Sequence, residues 1–269
     1  MKLASIALGF VASMTLITAV HAAPVPVATW NFNGTLNADE GGAPALTAIN
    51  PLGANAFVGD TVFGNPQIVY QFNGNAFPVN EQAGVSVSTL GLLANPNAYS
   101  VDLIFKFNQN VASWESILGV SNRTSDNSFY VEPGNKLQVY PIGNGPTTFT
   151  FGQYHRISLT NNGANRVTAY LDGIFQFDLL TAVMNFDTYG SANPTNLMHF
   201  FADNTQGGGQ GEFASGSVAL IRLYDGELTR TEVRDLPTGN DVPEPGSLAL
   251  MGLALVGLAA SRRQPVGAA

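Results

Sequence analysis

Glu115, Glu132 and Glu212 stand apart from other acids, and the adjacent Asp39 and Glu40 would project to opposite faces of a shared strand. A retaining glycosidase needs two carboxyls about 5–5.5 Å apart, which alternate positions on one strand supply. None of these acids has that spacing. Beyond the first 22 residues the imidazoles are His155 and His199, and Gly-x-Ser-x-Gly does not occur, so no serine triad is indicated. Both histidines read as packed side chains, and two of them without a third or a clustered carboxylate do not make a zinc site. Cysteine is absent, which excludes disulfides and thiolate metal sites. One segment suits a metal: Asp203 to Glu212 is a Gly-rich loop bracketed by oxygen donors. Calcium takes six to eight oxygens, backbone carbonyls included, so Asp203, Asn204 and Glu212 are candidate calcium ligands. The same composition also serves ordinary turn chemistry. Trp114, Tyr130 and Tyr140 could stack on sugars, although their alternate-position spacing assigns them to the core.

The elements that must position these residues have a hydrophobic period of two. Tyr99–Phe107, Lys136–Tyr140, Thr147–Phe151 and Arg166–Leu171 each alternate apolar and polar residues, which is the pattern of half-buried strands. Turn signals separate them, among them Pro133-Gly134-Asn135, Asn161-Asn162-Gly163 and Asp172-Gly173. The last of these predicts a type I′ hairpin turn. Trp30 and Phe32 share a face and are predicted to anchor the first strand. Val218, Leu220 and Arg222 are predicted on one face of a late strand, with Ala219, Ile221 and Leu223 on the other. One helix is predicted, opened by a capping box of Thr229 and Glu232 and stopped at Pro237. The fold class is all-β: an antiparallel two-sheet sandwich with one short C-terminal helix.

Composition agrees. Only 11% of residues are charged while 45% are hydrophobic, so this is a folded, turn-rich chain. The formal net charge of −8 repels nucleic acid phosphates and anionic lipid.

Both ends read as addresses. Residues 1–22 form a signal peptide: Lys2 supplies the basic start, an apolar stretch follows, and Val20-His21-Ala22 is the cleavage signal. The domain then spans 23–237 and a linker 238–241. Pro243-Glu244-Pro245 follows, then the apolar segment 246–260, Arg262-Arg263 and a tail 265–269. As a helix, 246–260 would reach only ~22 Å at 1.5 Å per residue, short of the ~30 Å hydrocarbon core. That length suits a transient membrane hold better than a permanent span. The arginines follow the positive-inside rule.

Residues 242–264 resemble the PEP-CTERM sorting signal of exopolysaccharide-producing Gram-negative bacteria. The resemblance implies an exosortase-type transpeptidase as partner and cleavage near Pro243–Pro245. It also implies export to the envelope, surface or extracellular matrix. Thr29–Leu36, Tyr154–Thr160 with Val167–Gly173, and Gly216–Val233 are together similar to LamG-like jelly-roll domains of the concanavalin A-like lectin/glucanase fold. This second resemblance implies a jelly roll, calcium in rim loops where it occurs, and a noncatalytic module binding glycan or protein, with extracellular polysaccharide as a partner. Its glucanase members carry Glu-x-Asp-x-x-Glu or close to it, which this sequence lacks, so no enzyme is expected. A glycan hydrolase of the same fold and a structural matrix protein without a ligand are the alternatives.

Overall fold

The computed structural model describes residues 24–237. The signal-peptide reading at Val20 and Ala22, and the sorting reading at Pro243, Glu244, Pro245, Arg262 and Arg263, lie outside the described residues. The strands are β1 (Ala28–Trp30), β2 (Thr47–Ile49), β3 (Ala56–Val62), β4 (Asn65–Phe72) and β5 (Gly84–Ser88). Then come β6 (Ala98–Phe107), β7 (Glu115–Gly119), β8 (Phe129–Val131), β9 (Lys136–Val139) and β10 (Gly143–Thr148). The chain continues through β11 (His155–Asn162), β12 (Arg166–Leu171), β13 (Ile174–Leu180), β14 (Leu197–Phe200) and β15 (Gly216–Asp225), before helix α1 (Arg230–Asp235).

They form two antiparallel sheets, as the period of two predicts. The eight-stranded sheet runs β13-β12-β11-β6-β15-β4-β3, with β1 added against β15; the seven-stranded sheet runs β10-β9-β8-β7-β14-β5-β2. No described helix is long and apolar enough to cross a membrane.

Strand β6 shows how the pattern becomes a core. Tyr99, Val101, Leu103, Phe105 and Phe107 point between the sheets, and their neighbours Ser100, Asp102 and Lys106 do not. Phe105 and Phe107 meet Phe201, which stacks on Phe72 with centroids 4.2 Å apart. Trp30 and Phe32 are both fully buried, and the Trp30 Nε1–H donates to the Pro44 carbonyl at 3.1 Å. Along one side the sheets are tied by Gln176 of β13. Its Oε1 accepts the Thr147 N–H at 3.1 Å and its Nε2 donates to Thr147 Oγ1 at 3.0 Å.

The hairpin turn forms as predicted, with Asp172 at φ 52° and Gly173 at φ 76°. Asp172 also holds His155, whose Nδ1 lies 2.7 Å from its Oδ2. The His155 ring packs 4.6 Å from Phe149, so this histidine serves the scaffold.

One register expectation is overturned. Val218 lies in the main core with Ile221 and Leu223, while Ala219 and Leu220 join a separate cluster with Val62, Val69 and Ile104. The cause is a bulge against β6 between Val218 and Leu220, which changes the parity of the faces.

On the outer face of the larger sheet Asp102 is fully buried. The register sets it opposite Ser158 on β11 and Arg222 on β15. Ser158 Oγ donates to its Oδ1 at 2.7 Å, Arg156 Nε lies 3.3 Å from Oδ1, and Arg222 Nη1 lies 3.6 Å from Oδ2. Both guanidiniums also reach the end of α1. Arg156 donates to the Leu236 carbonyl at 2.7 Å and to the Val233 carbonyl, and Arg222 donates to the Pro237 carbonyl at 2.8 Å. The predicted capping box is present: Glu232 N–H donates to Thr229 Oγ1 at 3.2 Å and Thr229 N–H to Glu232 Oε2 at 2.7 Å. Val233 and Leu236 close over Tyr170 and Tyr224.

Removing one partner of such a buried pair leaves an uncompensated charge. Arg156→Met should therefore cost about 3–5 kcal/mol, read as a lower urea midpoint. Arg234→Ala, at an exposed pair with Asp235, should stay within about 0.5 kcal/mol of the parent.

Candidate functional site

Strand alternation leaves three aromatic side chains on the far side of the smaller sheet. In β8 and β9, Phe129, Val131, Leu137 and Val139 face the core, so Tyr130 faces away. Trp114 precedes β7 and Tyr140 follows β9, each an even step from an outward position. Trp114 and Tyr140 are half-buried and Tyr130 is 1% exposed. Trp114 meets Tyr140 edge-on with centroids 5.1 Å apart, and Tyr130 edge-on at 5.6 Å. The expectation that all three are core is corrected for Trp114 and Tyr140. Alternation separates two faces of a strand without saying which one is covered.

These rings wall a cavity of about 220 Å³ whose remaining lining is Asp126, Gly209 and Glu212. The Gly-rich loop builds that wall. Gly208 has φ 59°, and a Cβ there would stand 2.4 Å from Asp126 Cβ, so only glycine lets the loop close on Asp126. Beneath the loop, Asp203 is 1% exposed. Its Oδ1 accepts the Tyr130 hydroxyl at 3.0 Å and its Oδ2 the Glu212 N–H at 3.2 Å. Arg123 Nε donates to the Asp203 carbonyl at 2.6 Å, and Arg123 Nη2 to Gln82 Oε1 at 2.8 Å.

Thus Asp203, Asn204 and Glu212 are brought together, but not as a calcium cage. Asn204 turns its amide nitrogen toward the carbonyls of Gln206, Gly207 and Gly209, at 3.1, 2.6 and 2.6 Å. Its N–H groups thereby take the role a cation would have, and both Asp203 oxygens are occupied. Among the described residues no group of three or more His, Asp or Glu side chains is placed to hold a metal ion. Asn204 Oδ1 and Glu212 Oε2 are buried without a partner, while the Asn204 amide nitrogen occupies the point that the carbonyls surround. An equal melting temperature in calcium and in chelator is expected, and a rise in calcium would assign a cation to those two oxygens.

The carboxyls are electrostatically unusual. Burial, with the Glu212 carboxyl beside it, pushes Asp203 up to about 9. Burial pushes Glu115, which is fully buried, up to about 8, with Glu132 adding to the rise. Asp126 is raised by burial and then by Glu212. Among the described residues none of Asp126, Asp203 and Glu212 is ion-paired with a basic side chain. His199 lies elsewhere, buried and pushed down to about 3 by desolvation and then by Arg123, which keeps it neutral. Sequence reasoning passed over Asp126, which only the fold brings to Glu212.

These shifts fix the sign of a pH dependence. Folded Glu115 and Asp203 keep their protons up to about 8 and about 9, whereas in the unfolded chain they release them near the ordinary carboxyl values of 4.5 and 3.8. Stability from these groups is therefore greatest below their unfolded values and is lost as pH rises toward the folded ones. The melting temperature should fall between about pH 5 and about pH 8.5, and Glu115→Gln should flatten that fall.

Comparison with known proteins adds two findings. Residues 241–263 match the PEP-CTERM protein-sorting motif, which indicates export and C-terminal sorting to the cell envelope through an exosortase-type system. No curated protein matches the chain. Among solved structures, the chain is similar to domain 4 of AbnA, a GH43 extracellular arabinanase from Geobacillus stearothermophilus, in complex with arabinotriose. The TM-score is 0.57 at 19% identity, covering 80% of this chain and 98% of that one. It is also similar to the binding domain of botulinum neurotoxin DC in complex with SialylT, with TM-score 0.53, 11% identity, and 79% and 50% coverage. Trypanosoma rangeli sialidase in complex with 2,3-difluorosialic acid gives TM-score 0.52 at 12% identity, covering 82% of this chain and 34% of that one. At these identities the likeness shows the fold, a jelly-roll sandwich.

Proposed function

We propose that this is an exported surface or exopolysaccharide-matrix protein of a Gram-negative bacterium, whose sandwich domain binds polysaccharide without cleaving it. The observation that carries this reading is the half-buried Trp114–Tyr140 pair walling a cavity with Asp126 and Glu212. A sugar presents C–H groups to an aromatic face and hydroxyls to acceptors, and the pocket offers both. Carboxylates without paired cations favour neutral or basic sugars and repel anionic ones. The neighbours in complex with arabinotriose and SialylT support glycan as the ligand class.

The sorting motif supports the rest. Signal peptidase removes residues 1–22, and the segment 246–260 holds the precursor in the membrane briefly. The exosortase-type transpeptidase cleaves near Glu244, with Arg262 and Arg263 on the cytoplasmic side. The intact mass of the native protein should therefore lack both ends and show any group attached to the new C-terminus.

A second reading, hydrolysis, is favoured by one observation, that Asp126 and Glu212 line the same cavity. Reducing-sugar release from the producer's polysaccharide would support it and overturn the noncatalytic reading. For binding, Trp114→Ala should weaken retention on that polysaccharide in affinity electrophoresis by about tenfold or more, a loss of about 1.4 kcal/mol. Unchanged retention would remove the pocket as the site.

A further inference from the structure

A second cavity, of about 490 Å³, opens beside the first. Val111 and Ser113 line it where Trp114 lines its neighbour, and Gly211 lines it where Gly209 and Glu212 line the other. The two linings are thus consecutive in the chain at Ser113–Trp114 and at Gly211–Glu212. Phe77 stands in this second cavity and is 66% exposed. Its ring reaches Gly211, where φ is 93° and a Cβ would stand 2.4 Å from Phe77 Cζ. Glycine at 211 therefore lets an exposed aromatic rest on the partition between the two cavities.

The polar lining is equally specific. Asn108 and Gln109 are exposed, and among the described residues their side-chain amides have no hydrogen-bond partner. The Asn75 amide is fixed instead, donating to Glu81 Oε2 at 2.7 Å. Among the described residues no charged side chain lines this cavity. Amides both donate to and accept from hydroxyls, so the lining suits neutral sugar units and offers an ammonium or a carboxylate no counter-ion.

We infer that the two cavities are one groove, with Phe77, Asn108 and Gln109 forming a second subsite, so that the ligand is a neutral linear oligosaccharide rather than a single sugar. This rests on the Trp114 reading above and extends it. A chain lying across Gly211 meets Trp114 and Tyr140 at one end and Phe77 at the other. Each added unit gains contact without a second loss of overall translational freedom.

The test is isothermal titration of the purified protein with neutral oligosaccharides released from the producer's polysaccharide and separated by length, from monosaccharide to hexasaccharide. Affinity should rise with length by about tenfold or more before levelling off. Phe77→Ala should abolish that rise while leaving the shortest bound ligand unaffected, and Trp114→Ala should weaken every length. Phe77 is largely exposed, so its variant should keep the parent melting temperature. Affinity independent of length, or a Phe77→Ala variant that keeps the length dependence, would overturn the extension and leave the Trp114 pocket standing. Failure of the unaltered protein to bind any length would overturn both.

Discussion

Asp102 is buried away from water, and the centre of the larger sheet sets one hydroxyl donor and two guanidinium charges around it. It lies on β6, which is paired on both edges, so the register of β11 and β15 decides which side chains reach it. Ser158 and two guanidiniums do, and the guanidiniums' remaining N–H groups must then be satisfied under cover. Carbonyls at the end of α1 accept from three of them, two on Arg156 and one on Arg222. The short helix is thus held less by its own six residues than by the arginines beneath it, since a helix of this length has little stability alone. The same contacts fix where the chain leaves the domain, because Arg222 binds the carbonyl of Pro237, the last described residue.

That exit has a bearing on function. Helix α1 covers the outer face of the eight-stranded sheet, through Tyr170 and Tyr224. The Trp114–Tyr140 pocket belongs to the outer side of the seven-stranded sheet. The described chain therefore ends on the face opposite the pocket. Sorting acts on the C-terminal segment, so the exit toward that segment and the pocket lie on opposite faces of the domain.

Much of the scaffold was legible in the sequence because it depends on local rules. Alternation in Tyr99–Phe107, the Asp172-Gly173 turn and the Thr229–Glu232 capping box each involve residues a few positions apart, and each forms. What failed depends on partners distant in sequence. The bulge between Val218 and Leu220 is a property of the pairing with β6, so it reverses a face assignment that looks secure in β15 alone. Alternation alone leaves Trp114 and Tyr140 free to face either way, because two equivalent faces cannot be ranked without the opposing sheet. The pairing of Asp126 with Glu212 has no short-range signature.

The Asp203–Glu212 loop shows how composition can point to residues that the fold does gather without fixing the chemistry they serve. Asp, Asn, Glu and glycine are a calcium vocabulary, and the loop does gather carbonyl oxygens around one point. At that point stands an amide nitrogen of the chain itself. Asn204 is 1% exposed and cannot be replaced there by water without opening the loop. The consequence reaches the pocket. With the carbonyls met by the Asn204 amide and Asp203 kept protonated by burial and by Glu212, much of the loop's shape is held by the chain itself. Gly209 and Glu212 are then presented to a ligand by a wall that is already set, and the entropic cost of ordering that wall does not fall on binding.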